Sequence, residues 1–425
     1  MALVPMILLY LEWIEFLLAL ATPLDMELSL VGGAVRDQML GQPFQLKDLD
    51  LVVEGPQAWP ALRLAELIVA AGDAGELPTG YDLLQCTPHS SYGTARLRLR
   101  INAESLLCDL SSARSESYEF PGDHPLVQPA NLSIDLQRRD FSLNAMALRL
   151  PTLELLDPFG GLQDLAARQL QLLHGTSIVD DPTRLIRAAR YGARFDLRWT
   201  AESWEQASAA LSSWPWRHTA SALGARLRME LELLMREACW KKALLLLKNW
   251  RGLELLQPGW QQLPKGTAAY LMRLGRWGEM LTPTCKASDL RLVGLLDLMP
   301  AKGNVKLRIA QRLQLAHWQQ QLLDEAIDLR QWLDEGDWQI EWKPSQWTAA
   351  LEKQQQAMAV LLVLLQPRRS VVPWRRPLLA WLWRWRLQKP WVKAETLIAQ
   401  GYKPGPELGE RLKLERAQLI DQSGC

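Results

Sequence analysis

The chain has 425 residues, of which 22% are charged and 48% hydrophobic, with a formal net charge of +1 at pH 7. That is the make-up of a folded, water-soluble chain long enough for roughly two to four domains. It excludes a globally basic nucleic-acid binder, so any RNA surface must be local. The five cysteines (Cys86, Cys108, Cys239, Cys285, Cys425) form no C-x-x-C pair, which argues against a zinc site or disulfide framework and fits a reducing cytoplasm. Residues 1–20 are strongly apolar, but Arg36 is the first basic residue and Glu12 and Glu15 interrupt the run. We expect a helix packed on the next domain, or a start codon assigned too early, rather than a signal peptide or a membrane span.

Ser29–Leu30–Val31 reads as a strand, and Gly32–Gly33 follows at once. Paired glycines allow close approaches that a Cβ forbids, so N–H groups there can face a phosphate. Ala34 to Leu40 reads as a short helix stopped by Gly41. Asp48–Leu49–Asp50 then leads into the apolar run Leu51–Val52–Val53. Alternate residues of a strand share a face, so the two carboxylates project side by side. They repel unless a cation lies between them, and Mg2+ suits such oxygen ligands; a solvated strand end is the ordinary alternative.

Residues 57 to 72 read as an amphipathic helix, with Trp59, Leu62, Leu64, Leu67 and Ile68 inward and Gly72 ending it. From Ala95 to Ile101 strict alternation predicts a half-buried strand with Arg96, Arg98 and Arg100 on one face. Leu106 to Leu110 reads as another strand, carrying Asp109. The Gly, Pro and Asp content of 121–130 argues for a loop. In Leu136 to Ala147, Arg138 and Arg139 supply cations, Asp140 can hold one in place, and Asn144 offers an amide about one turn later. Asp157–Pro158–Phe159–Gly160–Gly161 is turn chemistry and marks the exit from the sheet domain.

Beyond it the pattern is helical, and 18 of the 20 tryptophans lie after residue 198, chiefly as helix–helix core. Asp180–Asp181–Pro182 is a good helix start. Asp181, Arg184 and Arg187 follow at a spacing of three, on neighbouring positions of one face, where a solvated ion pair is the ordinary reading. Near the end, Trp374–Arg375–Arg376 and Trp381–Leu382–Trp383–Arg384–Trp385–Arg386 combine cations with aromatics. The tryptophan spacing suits a core, and the arginines suit an RNA backbone.

Taken in order, strand, Gly-Gly, Arg36–Asp37 and Asp-x-Asp resemble the signature of the class II tRNA nucleotidyltransferase and bacterial poly(A) polymerase family, within the polymerase-β-like nucleotidyltransferases. Ala113–Arg114–Ser115–Glu116–Ser117–Tyr118 looks like the family's AR-x-E-x-Y segment, and Arg138 to Ala145 like its RRDF-x-x-NA motif. Asp180 to Arg184 is similar to ED-x-x-R with Asp in place of Glu, and residues 401–409 resemble the C-terminal G-x-x-PGP-x-x-G. The resemblance runs from about residue 29 to 415.

It implies an α+β chain: a small mixed β-sheet nucleotidyltransferase head (1–150), then an all-α neck (151–230), body (231–330) and RNA-binding tail (331–425). It implies Asp48 and Asp50 as ligands of Mg2+, with Asp109 completing the catalytic set. Gly32, Gly33 and Arg36 would cradle phosphates, and Arg139, Asp140 and Asn144 would lie at the nucleotide pocket, with Arg187 beside it. Asp181 and Arg184 would read the base. Cytosine and adenine each present an amino donor beside a ring-nitrogen acceptor, which a carboxylate and a guanidinium match, whereas guanine and uracil invert the pattern. The implied activity is addition of CTP and ATP to the 3′ end of tRNA by a cytoplasmic enzyme, a monomer or weak homo-oligomer with no membrane partner. A-only or CC-only addition, poly(A) synthesis, and RNA binding without catalysis are the alternatives.

Overall fold

The computed structural model describes residues 11–41, 48–102, 104–214, 223–336, 338–354, 356–367 and 372–422. They fall into two compact units, Met1–Leu223 and Gly224–Cys425.

Helix α1 (Leu11–Ala21) opens the first unit, burying Trp13, Ile14, Leu17 and Ala21 at helical spacing. Trp13 stacks on Tyr81 with ring centroids 5.6 Å apart, so this part of the apolar N-terminal stretch packs on the sheet domain. Residues 1–10 of that stretch lie outside the described residues. Strand β1 (Glu27–Val31) leads through Gly32 into α2 (Gly33–Met39), and β2 is Asp48–Glu54. Helix α3 (Pro60–Ala74) buries Leu64, Ala65, Ile68 and Ala71. It runs past Gly72 and ends on Gly75 at φ 75°. Gly72 is tolerated inside the helix at about 1 kcal/mol, and Gly75 supplies the left-handed cap that a Cβ would oppose.

Strands β3 (Tyr81–His89), β4 (Thr94–Ile101) and β5 (Glu104–Ser112) follow, then the hairpin β6 (Arg114–Ser117) and β7 (Leu126–Pro129). The stretch read as loop at 121–130 is therefore partly strand. Leu126–Val127–Gln128 pairs with β6 before Pro129 ends the ladder, and the turn residues Pro121–Gly122–Asp123 lie between the strands. Helix α4 (Leu132–Gln137), capped by the Asn131 side chain, precedes β8 (Ala147–Arg149) and β9 (Glu154–Leu156). One seven-stranded sheet results, in the order β3-β4-β5-β2-β1-β8-β9. Within it β2 and β5 run parallel and the other neighbours antiparallel. On β4 the residues alternate as expected, with Ala95, Leu97 and Leu99 buried and the three arginines exposed.

The Asp157 carboxylate then accepts from the N–H groups of Gly161 and Leu162 at 2.7 and 2.9 Å, starting α5 (Gly161–Ala167). A short parallel bridge joins β10 (Gln169–Leu170) to β11 (Arg198–Trp199) around α6 (Ser177–Asp180) and α7 (Thr183–Phe195). Helix α8 (Ala201–Ser212) follows, and Phe141, fully buried, meets the rings of Tyr191 and Trp199 edge-on at 6.0 and 5.8 Å.

The second unit is helical throughout its described residues. Helix α9 (Leu223–Arg236) leads to α10 (Trp240–Asn249), α11 (Thr267–Leu281), α12 (Ala287–Asp297), α13 (Gly303–Arg312) and α14 (His317–Glu335). After these come α15 (Pro344–Gln354), α16 (Ala357–Leu365), α17 (Arg375–Trp383), α18 (Ala394–Ala399) and α19 (Pro406–Gln422). Helix α16 is buried from Met358 to Leu365, as expected of a helix apolar on every face. Trp374, Trp381 and Trp385 are core, while Arg375, Arg376 and Arg384 are exposed. Asp297, fully buried on α12, pairs with Arg330 of α14, and its backbone carbonyl accepts from Lys306 of α13. No helix among the described residues is long and apolar enough to cross a membrane.

Candidate active site

The site begins where β1 ends. Gly32 sits at φ 75° and ψ −140°, a backbone conformation that side chains oppose. A Cβ there would lie 3.3 Å from Asp50 Oδ2 and 3.7 Å from an Arg139 nitrogen, so the glycine lets the turn close on both groups. Across the parallel β2–β5 pair, Asp50 stands in register with Asp109, while Asp48 is opposite Leu107. Asp109 does not face its neighbour alone. Arg96 on β4 donates to it through Nε and Nη2 at 2.8 and 2.7 Å.

Burial pushes the Asp50 carboxyl up to about 6, and the charges of Asp109 and Asp48 add to that; Arg139 and Arg96 oppose it without cancelling it. Asp48 and Asp50 fit a hard divalent ion by donor type and by sharing a strand face. Among the described residues no group of three or more His, Cys, Asp or Glu is gathered as a ready metal cluster. Asp109 is engaged by Arg96, whose side chain is 58% exposed.

A chain of guanidinium and carboxylate contacts runs from α2 to α7. Arg36, buried at 5% exposure, donates through Nη1 to Asn144 Oδ1 at 2.7 Å. Asn144 Nδ2 donates to Asp140 Oδ1 at 2.8 Å, and Arg187 Nε donates to Asp140 Oδ2 at 2.7 Å. The Arg36 guanidinium also lies over the rings of Tyr191 and Phe195, at 5.1 and 4.7 Å. Arg138 and Arg139 both donate to Asp135, at 2.6 and 3.1 Å. Arg138 further reaches Glu116, which also accepts from Arg114 and from the Tyr118 hydroxyl. Burial opposes ionisation of Asp135 and Asp140, yet the arginines beside each outweigh it and hold both carboxyls below their usual value.

Asp181 and Arg184 lie within one turn at the start of α7. Asp181 Oδ1 accepts from the Thr183 backbone and hydroxyl at 3.0 and 2.6 Å. Arg184, 5% exposed, donates through Nη2 to the Arg138 carbonyl at 2.7 Å and through Nη1 towards Ser177 Oγ and His174 Nε2. The shared helix face drawn from sequence thus separates by partner. Arg187 turns to Asp140 and Tyr191, and Arg184 to α6 and the Arg138 backbone.

Gly32, Gly33, Arg36, Asp48, Asp50, Asp109, Arg139, Asp140, Asn144, Asp181, Arg184 and Arg187, the candidates singled out in the sequence, all lie within the first unit. Asp135, His174, Ser177, Tyr191 and Phe195, which the sequence did not single out, contact them through Arg139, Arg184, Arg187 and Arg36. Asp135 stands three and four residues before Arg138 and Arg139, a spacing that could have found it. For His174 and Ser177 the sequence carries no such signal.

The mixed sheet thus sets the Gly32 turn beside aspartates in register. Residues 28–171 match the family described as the Poly A polymerase head domain. The chain is 40% identical over 251 residues to a CC-adding tRNA nucleotidyltransferase of Deinococcus radiodurans, across 58% of this chain and 59% of that one. It is 36% identical over 233 residues to an A-adding tRNA nucleotidyltransferase of Halalkalibacterium halodurans, across 54% of this chain and 49% of the relative, so it spans about half the length of such relatives. The fold is similar to that of a CCA-adding enzyme in its apo form, with a TM-score of 0.72, 26% identity, and coverage of 97% of this chain and 92% of that one. The chain is thus similar to tRNA nucleotidyltransferases in sequence, and to a CCA-adding enzyme in fold.

Proposed function

We propose that the protein transfers CMP and AMP from CTP and ATP to the 3′ end of tRNA without a template, the 3′-hydroxyl attacking the α-phosphorus and pyrophosphate leaving, and so completes the CCA terminus by Mg2+-dependent nucleotidyl transfer. The observation that carries this reading is the registry of Asp50 with Asp109 beside the Gly32 turn, with Asp48 on the same strand as Asp50. Asp48 and Asp50 would hold the ion, with Asp109 once Arg96 leaves it. When bound, Mg2+ neutralises the triphosphate and favours the alkoxide of the attacking 3′-hydroxyl.

The protein's own groups do the remaining work by position and charge. Gly32 leaves room for a phosphate against the turn, and Arg36 and Arg139 supply cations around it. Asp140 fixes Asn144 and Arg187, which keeps the pocket wall from turning its charges outward. Asp181 accepts from the amino group of cytosine or adenine while Arg184 donates to the neighbouring ring nitrogen. Guanine and uracil leave both groups mispaired, at about 1–3 kcal/mol for each buried group left unsatisfied. We assign residues 1–150 as head, 151–230 as neck, 231–330 as body and 331–425 as tail, with the exposed Arg375, Arg376 and Arg384 as candidates for RNA backbone.

A second reading, addition of only CC or only A, is favoured by the names of the two relatives above. Labelled CTP and ATP offered to tRNA lacking its CCA end, and to tRNA ending in C and in CC, decide between them. CTP twice and then ATP once supports the first reading. Two C residues alone, or A on the CC end alone, supports the second, and long A tails on any RNA would replace both.

A further inference from the structure

We propose that His174 is a positioning residue for the base-reading guanidinium of Arg184, held in its accepting tautomer by Thr176 and Asp180. The inference rests on the assignment of Arg184 to base reading.

The direction of every bond in this cluster follows from its two ends. A guanidinium has donors and no acceptor, so in the 3.3 Å contact between Arg184 Nη1 and His174 Nε2 the imidazole nitrogen must accept. The ring proton then resides on Nδ1, which lies 3.1 Å from Thr176 Oγ1. Thr176 Oγ1 in turn donates to Asp180 Oδ2 at 2.8 Å, and an ionised carboxylate can only accept. One consistent chain therefore runs from Arg184 through His174 and Thr176 to Asp180. It selects a neutral imidazole of a single tautomer.

Ser177 Oγ shares Nη1, and the Arg138 carbonyl holds Nη2. Three donors of the fork are committed inside the protein, and a guanidinium has five, so two lie outside these bonds. His174 and Ser177 thereby set the plane of the fork and the direction of the donors left for a base. Neither residue needs to touch the nucleotide.

A protonated His174 would present a cation to Arg184 and lose the accepting lone pair. The charged groups facing the ring are Arg184 of α7 and Asp180 of α6. Burial, followed by Arg184, depresses the His174 pKa below its usual value against the opposing pull of Asp180, so the ring is neutral at pH 7.

The test is the ratio of kcat/KM for the accepted nucleotides to that for UTP and GTP, measured on full-length protein with tRNA lacking its 3′ end. A ratio cancels effects common to all four nucleotides, including general loss of stability or of catalysis. His174→Ala is expected to lower the ratio about tenfold or more. His174→Gln, whose amide oxygen accepts without titrating, is expected to restore it. In wild type the ratio should fall as pH drops below His174's ordinary value of 6.5, and in His174→Gln it should stay flat. Thr176→Val, at an exposed position, should lower the ratio by freeing the tautomer, and it carries the test if His174→Ala does not fold.

Arg184→Ala separates the two claims. If Arg184→Ala loses discrimination while His174→Ala and Thr176→Val keep it, the positioning role of His174 is overturned and the base-reading assignment stands. If Arg184→Ala itself keeps discrimination, the base-reading assignment fails and the inference with it.

Discussion

Asp50 and Asp109 stand in register across a parallel strand pair, and only Asp109 has a bidentate partner, Arg96. Asp50 is left with burial and like charges that push its carboxyl up to about 6. A site under that repulsion is less stable than its neutral counterpart until a cation arrives. Asp50→Asn should therefore raise Tm in EDTA, by about 2–4 °C for each kcal/mol relieved. The same variant should lose the rise in Tm that Mg2+ gives the wild type. Thermal unfolding with and without Mg2+ checks both, and an unchanged Mg2+ response in Asp50→Asn would remove Asp50 from the ligand set.

The pH dependence of stability in EDTA should have two limbs of opposite sign. The folded-state pKa of Asp50 is raised above its unfolded value of 3.8, so its unfavourable contribution is relieved as pH falls from about 6 towards 3.8. The folded-state pKa values of Asp135 and Asp140 are depressed below 3.8. Their stabilisation is fully present above 3.8 and is lost as pH falls through those lower values. Urea midpoints should accordingly improve modestly on mild acidification and collapse in stronger acid. Asp135→Asn and Asp140→Asn should flatten the acid limb alone, and Asp50→Asn the mild one.

Much of the site was legible because its chemistry is concentrated in short motifs. Asp48 and Asp50 share a strand face by simple alternation, and the apolar run after them marks the strand. The alternation of β4 was equally plain. What local pattern could not show was pairing across the fold. Arg96 is 13 residues from Asp109 and occupies it through the β4–β5 register. Arg187 is 47 residues from Asp140, so its turn away from Arg184 follows from tertiary contact. His174 meets Arg184 only because α6 and α7 fold together. The strand inside 121–130 was hidden for a related reason: its partner strand begins at Arg114, on the far side of the glycine turn.

The second unit depends on a charge in its core. Asp297 is fully buried against Arg330, with the Gln366 amide 3.4 Å away. Removing one member of a buried pair leaves the other uncompensated, at a cost of about 3–5 kcal/mol. Asp297→Ala should lower the stability of the second unit by that order in a denaturant titration. A loss below about 1 kcal/mol would show that Arg330 finds water or another acceptor.

The most direct test of the account is nucleotide incorporation by Asp48→Ala and Asp50→Ala, with binding of tRNA measured on the same preparations. The paired carboxylates are assigned to holding Mg2+ and not to gripping RNA. Both variants should therefore lose Mg2+-dependent incorporation by several orders of magnitude while binding tRNA as the wild type does. Full activity in either variant would contradict the metal assignment, and loss of tRNA binding in step with activity would contradict the division of labour.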